Sequence, residues 1–132
     1  MTPAKKSVLI TGAAKRLGRA IALHLADAGW SVVVHYNNSQ AEAEEVVAAL
    51  HQKGVHAAAI NADLTMEDDT ERLIERAREA VGPLTALVNN ASVFENDTIA
   101  TMTRQSWDKH IEANLRAPLI LSRNFAAQIP DG

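Results

Sequence analysis

The stretch Ser7-Val8-Leu9-Ile10-Thr11-Gly12-Ala13-Ala14-Lys15-Arg16-Leu17-Gly18 decides the fold. Ser7 to Thr11 is short, apolar and partly β-branched, which predicts a buried strand. A turn of small residues follows. From Arg16 to Ala28 the pattern becomes helical, with Leu17, Ile21 and Leu25 at i, i+4 and i+8 on one expected face, and Gly29 closes the helix. A strand that passes through small residues into a helix start is the opening of a βαβ unit. Small residues let a backbone approach a pyrophosphate, and the helix N-terminus offers free N–H groups and a positive dipole end. Lys15 and Arg16 oppose that dipole. An ordinary turn gains nothing from two cations there, whereas an anionic ligand compensates them. By spacing alone the loop also fits a plain βα turn with solvated charges; its place after the first strand strengthens the phosphate reading.

Outward from this stretch the alternation repeats. Val32-Val33-Val34 within Ser31 to Tyr36 is a continuous apolar run, as expected of a strand covered on both faces. Ser39 to Lys53 reads as a helix, with Ser39 and Glu42 at capping-box spacing, a stripe of Val46, Val47 and Leu50, and Gly54 as its stop. Val55 to Asn61 reads as a third strand. A third helix spans Thr65 to Val81 with stripe Leu73, Ile74, Ala77 and Val81, ended by Gly82-Pro83. Leu84 to Asn89 reads as a fourth strand. A loop leads to a helix from about Thr103 to Gln128, whose expected buried face carries Trp107, Ile111 and Leu115. The result is an α/β, doubly wound parallel sheet with helices on both faces and right-handed crossovers. Ile129-Pro130-Asp131-Gly132 carries turn chemistry, and the next element expected is another strand. The pattern therefore reads as a single domain, 1–132, truncated before its last strands.

The 132 residues are 47% apolar and 22% charged, which excludes wholesale disorder and collagen. Cysteine is absent, so neither a disulfide framework nor a thiolate metal site is available. A net charge of -3 and 4% aromatics give no sign of a nucleic-acid partner. No stretch approaches the roughly 18 uninterrupted apolar residues of a membrane span. Lys5-Lys6 ahead of Ser7 to Ala14 superficially resembles a signal peptide. Gly12 and Lys15-Arg16 interrupt it and no clear cleavage site follows, so a cytoplasmic protein is the expectation.

In parallel sheets of this kind, ligands bind beyond the carboxyl ends of the strands. Four loops thus matter. The second strand ends in His35-Tyr36-Asn37-Asn38-Ser39, with no acid between Ser31 and Ala41. A pocket for NAD usually offers a carboxylate there for the ribose 2′-hydroxyl. Hydrogen-bond donors and the nearby Arg16 favour a 2′-phosphate instead. His35 also fits a half-buried strand-end histidine, and Ser39 a simple N-cap. Asp63-Leu64 follows the third strand and could accept from an exocyclic amino group, although Asp63 reads more simply as a turn-former. The fourth strand ends in Asn89-Asn90-Ala91-Ser92-Val93-Phe94. Adjacent amides can pin a strand end, and Phe94 either stacks on a flat ligand or packs on the core. Asn114 lies near the expected buried side of the last helix. Pro118, four residues on, removes the N–H that would bond the Asn114 carbonyl, predicting a kink and a free carbonyl.

Thr11-Gly12 through Gly18, Asp63-Leu64, Asn89-Asn90-Ala91 and Asn114 together resemble the short-chain dehydrogenase/reductase family, in register along essentially the whole chain. The resemblance implies a Rossmann-type fold, a nicotinamide cofactor, a small-molecule substrate, hydride transfer to a carbonyl or imine, and a homotetramer. It gives Asn114 a catalytic role, its main chain holding a water in the proton relay. Arg16 stands where the family's middle glycine would be, and Ser92 rather than glycine follows Ala91. With His35, Tyr36, Asn37 and Ser39, these features make the chain look like the pteridine reductases. That implies NADPH, with Gly12, Lys15, Arg16, Leu17, Gly18, His35, Tyr36, Asn37, Ser39, Asp63, Leu64, Asn89, Ala91 and Ser92 around the cofactor. Ser92 and Phe94 would line the pterin site. The family's Tyr-x-x-x-Lys pair has no counterpart: Tyr36 is the sole tyrosine, and no lysine follows Lys109. The segment is therefore expected to be inactive alone and to be part of a longer enzyme that reduces a pterin- or dihydrofolate-like ring; the alternatives are a short-chain reductase of another carbonyl substrate and a non-catalytic NADP-binding module.

Overall fold

The computed structural model describes residues 5–130; the turn expected at Asp131-Gly132 lies outside them. Four parallel strands form one sheet: β1 (Ser7–Ile10), β2 (Ser31–Tyr36), β3 (Ala57–Asn61) and β4 (Ala86–Val88). Their order is β3-β2-β1-β4. The chain crosses from one edge to the other after β3, so the sheet has its switch point between β1 and β4, where a crevice opens. β1 pairs in register with β2 from Ser7 against Ser31 to Ile10 against Val34.

Period-two alternation sorts the apolar side chains into two cores. Val8, Ile10, Val32 and Val34 pack beneath α1 (Arg16–Asp27) and α2 (Gln40–Gln52), against Ala22, Ala26, Val46 and Leu50. Leu9, Val33 and Ile60 point the other way, onto Leu73, Ile74, Ala77 and Val81 of α3 (Glu67–Val81) and Ala117 and Leu121 of α5 (Ala117–Ala127). The doubly wound parallel sheet expected from the sequence is the observed architecture.

Several local expectations are corrected. α1 does not bury the Leu17 stripe: Leu17 is 65% exposed, and Gly18, Ala22 and Ala26 face the sheet. Small side chains let the helix axis approach the strands, and Ile21 and Leu25 flank the contact half-buried. Ser39 precedes α2 but makes no side-chain cap bond, so the Ser39–Glu42 capping box does not form. α3 starts at Glu67 rather than Thr65, because Thr65 is held in a turn by Asp63. β3 and β4 are shorter than the runs Val55–Asn61 and Leu84–Asn89 suggested.

The last helix is three pieces: α4 (Arg104–Ile111), a π-helical turn (Glu112–Arg116) and α5. Thr103 caps α4 through a reciprocal bond pair with Ser106. Pro118 lacks an N–H, and the preceding turn widens: Ala117 N–H reaches back five residues to the Glu112 carbonyl. The widened turn shifts the helical phase. Beyond it Ala117, Ile120 and Leu121 are buried, as is Ala113, while Leu115 is exposed; α4 itself buries no residue, leaving Trp107 exposed and Ile111 half-buried. Asn114 too lies on the exposed side, not the buried one. No described helix is long and apolar enough to cross a membrane.

Candidate functional site

A cleft of about 470 Å³ opens at the carboxyl ends of the strands, at the switch point. Its floor is the β1–α1 loop. Gly12 has φ +63°, a left-handed conformation that glycine adopts without steric cost. Gly18 sits where nothing larger fits: an added Cβ would lie 2.2 Å from the Gly12 carbonyl oxygen and 2.7 Å from Asn90 Nδ2. Arg16 has φ +51° and is the sole non-glycine in that region among the described residues. A side chain at that φ carries a backbone cost. No side chain caps α1, and its first turn carries no acid, leaving its N–H groups for an anion. Lys15 stands 3.9 Å from Glu42. Arg16 has no ion-pair partner among the described residues.

Two polar devices hold the loop from either side. On the β4 side, the Thr11 hydroxyl accepts the N–H groups of Asn90 and Ala91 at 3.0 and 2.9 Å. Asn90 Nδ2 donates back to the carbonyls of Thr11 and Gly12 at 3.2 and 3.1 Å. On the β2 side, buried His35 accepts the Gly12 N–H at Nδ1, 3.0 Å, and its Nε2 lies 2.8 Å from the Ala62 carbonyl. Since Nδ1 accepts, the proton is on Nε2 and the ring is neutral. Burial holds the ring's pKa below the ordinary imidazole value, and the Arg76 charge acts in the same direction.

The far wall is the turn after β3. Asp63 Oδ1 accepts both the N–H and the hydroxyl of Thr65, and the Asp63 N–H donates to Asp69 Oδ2 at 2.8 Å. This is the turn-forming role, though Asp63 and Leu64 also line the cleft. The near wall is the irregular segment after β4, tied to the helix opposite. Asn114 Oδ1 accepts the Val93 N–H at 2.7 Å while its Nδ2 donates to the Val93 carbonyl at 2.8 Å. His110 Nε2 accepts the Glu95 N–H at 3.0 Å. Lys109 hydrogen-bonds the Glu95 carboxylate and holds its pKa below the usual range. The Thr101 and Ser106 hydroxyls do the same for Asp97.

The chain matches the short chain dehydrogenase profile over residues 6–132. It belongs to that family. The 3-oxoacyl-(acyl-carrier-protein) reductase FabG of Staphylococcus epidermidis is 39% identical over 111 residues, covering 84% of this chain and 46% of that protein. The chain thus spans about half the length of the curated relatives it matches. Among solved structures, FolM alternative dihydrofolate reductase 1 from Brucella suis, in complex with NADP, superposes with TM-score 0.90 at 35% identity, over 96% of this chain and 52% of that one. A short chain dehydrogenase from Burkholderia cenocepacia, also in complex with NADP, gives 0.91 at 33%, over 96% and 51%.

Of the residues singled out from sequence, Gly12, Lys15, Arg16, Leu17, His35, Asn37, Asp63, Leu64, Ala91 and Ser92 line the cleft of this family member. Gly18 lies behind the loop as a spacer. Tyr36 packs into the core under α2. Ser39 stands half-buried before α2, outside the lining, and Asn89 donates to Ser122 away from it. Phe94 is 85% exposed and does not line the cleft. Asn90, expected as a pinning amide, lines the cleft as well, and sequence reasoning missed Ala62, Thr65, Val93 and Ala113 as lining residues. Thr65 had a signal, two residues after Asp63 in a turn; Ala113 had none, because its approach depends on the π-helical turn.

Proposed function

We propose that this chain is the dinucleotide-binding part of an NADPH-dependent reductase that transfers hydride to a pterin- or dihydrofolate-like ring. The observation that carries the cofactor reading is the charge at the cleft. Arg16 lines it with no ion-pair partner among the described residues, and no carboxylate stands at the tip of β2, from Ser31 to Ala41. The residues present fit a dinucleotide: uncapped N–H groups at α1 for the pyrophosphate, Arg16 and the uncommitted Ser39 hydroxyl for the 2′-phosphate, Asp63 for an adenine amino group. Bound there, the nicotinamide supplies the hydride. Ala91 and Ser92 lead from the cofactor floor toward Phe94, whose exposed ring supports stacking on a planar substrate. Asn114 uses both side-chain atoms on Val93, and Pro118, four residues on, has no N–H to donate to its main-chain carbonyl, which supports that carbonyl as the holder of a water in a proton relay. The FolM likeness supports the pterin ring. A cytoplasmic homotetramer goes with this reading, and exposed Trp107, Leu115 and Leu119 support self-association.

The FabG identity favours a second reading, reduction of another carbonyl substrate such as a 3-oxoacyl thioester. The test is NADPH oxidation by the full-length protein, followed by absorbance with dihydrobiopterin, dihydrofolate and acetoacetyl-CoA. Turnover of the pterins is expected. Turnover of acetoacetyl-CoA alone supports the second reading, and equal use of NADH overturns the cofactor assignment.

A further inference from the structure

We propose that His35 is a positioning residue of the cofactor cleft: its neutral ring clamps the glycine loop to the turn after β3, and a proton on Nδ1 opens the clamp. The proposal rests on the dinucleotide reading above for its consequence, but the clamp itself stands on geometry. His35 is 2% exposed at the carboxyl end of β2, the strand between β1 and β3. One ring nitrogen takes the Gly12 N–H, 23 residues back, and the other reaches the Ala62 carbonyl, 27 residues on. The His35 main-chain carbonyl also accepts the Ala13 N–H at 3.0 Å. One residue thus touches the ends of three adjacent strands, adding to the Ala62 N–H bond to the Tyr36 carbonyl. Gly12 and Ala62 both line the cleft, so the imidazole joins the phosphate floor to the start of the Asp63 wall.

The ring can hold this place only when neutral. A second proton would turn Nδ1 from acceptor to donor and set it against the Gly12 N–H, leaving two buried donors without an acceptor. Burial is the largest influence against that proton, and the bond to the Ala62 carbonyl acts the other way. Arg76 on α3 opposes the proton. From the β1–α1 loop the cations Lys15 and Arg16 line the same cleft, and from the β3 turn Asp63 lines it with the opposite charge, its Oδ1 bonded to Thr65 and its Oδ2 left for a ligand. Tyr36 follows on β2 and turns into the core. The linkage has a definite sign. The folded-state pKa lies below the ordinary 6.5, so the unfolded chain binds the proton more readily. The stabilisation is complete above about pH 6.5 and is lost as pH falls through the lower folded value. Because the clamp shapes the phosphate floor, cofactor affinity declines only as pH falls through that lower folded value, where the ring in the folded protein takes up its proton.

The decisive variant is His35→Gln, whose single amide can accept from Gly12 and donate to Ala62 without titrating. His35→Phe keeps the ring and removes both bonds. Dissociation constants for NADP⁺ are measured on the full-length protein from pH 5 to 8, beside thermal melts. His35→Gln is expected to bind within about threefold of wild type at pH 7.5 and to lose less affinity on acidification. His35→Phe is expected to bind at least about tenfold more weakly while still melting cooperatively. Identical pH profiles for wild type and His35→Gln, or unchanged affinity in a folded His35→Phe, overturn the proposal. Ring ¹⁵N shifts of the ligand-free protein give a readout independent of the cofactor. They should report a neutral ring with its proton on Nε2 at pH 7, and a charged ring or the opposite tautomer overturns the clamp. Failure of wild type to bind NADP⁺ at all refutes the dinucleotide reading instead, and the ring shifts then decide the clamp alone.

Discussion

Replacing Arg16 with glycine should move stability and cofactor affinity in opposite directions. Arg16 holds φ at +51°, where a side chain costs about 1–2 kcal/mol relative to the right-handed region. Glycine removes that cost but brings back roughly 0.5–1 kcal/mol of chain entropy. A net gain of about 0.5–1 kcal/mol in unfolding free energy is expected. The guanidinium is lost at the same time. A charge-assisted contact to the 2′-phosphate is worth about 1.5–3 kcal/mol, roughly a tenfold to hundredfold rise in the NADPH dissociation constant. Arg16→Ala separates the two effects, because it loses the charge and keeps the strain. Both variants should share the NADPH defect, both should bind NADH as wild type does, and only the glycine variant should be more stable. Urea unfolding and fluorescence titration of each cofactor measure the two axes. The reasoning fails if Arg16→Gly is destabilised, or if the NADPH-to-NADH affinity ratio survives either change.

Gly18→Ala should cost about 1–3 kcal/mol in urea unfolding, since the new methyl meets the Gly12 carbonyl at 2.2 Å, whereas an unobstructed helical glycine would gain from alanine. Asn90→Ala removes both amide donors from the Thr11 and Gly12 carbonyls and should cost about 1–3 kcal/mol, with weaker NADP⁺ binding by calorimetry. Leu73→Ala, at a fully buried position between α3 and the sheet, should cost about 2–5 kcal/mol without altering relative preference between cofactors. Phe94→Ala in the full-length protein should weaken pterin substrates by about 1–3 kcal/mol in KM and leave the NADPH dissociation constant nearly unchanged. Unaltered pterin kinetics would show that the ring has no part in substrate binding.

The order and type of every strand and helix up to β4 was legible because hydrophobic periodicity is a local signal. Val32-Val33-Val34 can only be a strand covered on both faces, and Leu73, Ile74, Ala77 and Val81 mark one side of a helix. Helix orientation was less legible. Leu17, Ile21 and Leu25 form the larger stripe on α1, but the sheet is approached through Gly18, Ala22 and Ala26, because a close strand–helix contact selects small size over hydrophobicity. Trp107 and Leu115 are outside for other reasons: α4 buries none of its residues, and one widened turn before Pro118 changes the phase of the helix beyond it, of which a fixed period carries no record. At the site, the glycines and the adjacent amides announced a loop and its clamp. What stayed hidden were properties of the third dimension. These include the positive φ of Arg16, the commitment of both His35 nitrogens to backbone, and the approach of Ala113.

The position of β1 sets an order of assembly. It is the first strand in the chain and an interior strand of the sheet, yet its two neighbours are at unequal distances along the sequence. The His35 bonds close over 23 and 27 residues, whereas Ser7 meets Thr85 across 78 and Thr11 meets Asn90 and Ala91 across 79 and 80. Longer loops close later and at greater entropic cost. The β1–β2–β3 side, with its glycine loop already shaped, can therefore form while the fourth strand is still unpaired. The crevice acquires its second wall only at the last closure. A nucleotide that arrives early meets half a site, and one that arrives late meets a finished one, so a dinucleotide bound across both walls would act as a fastener on the slowest step.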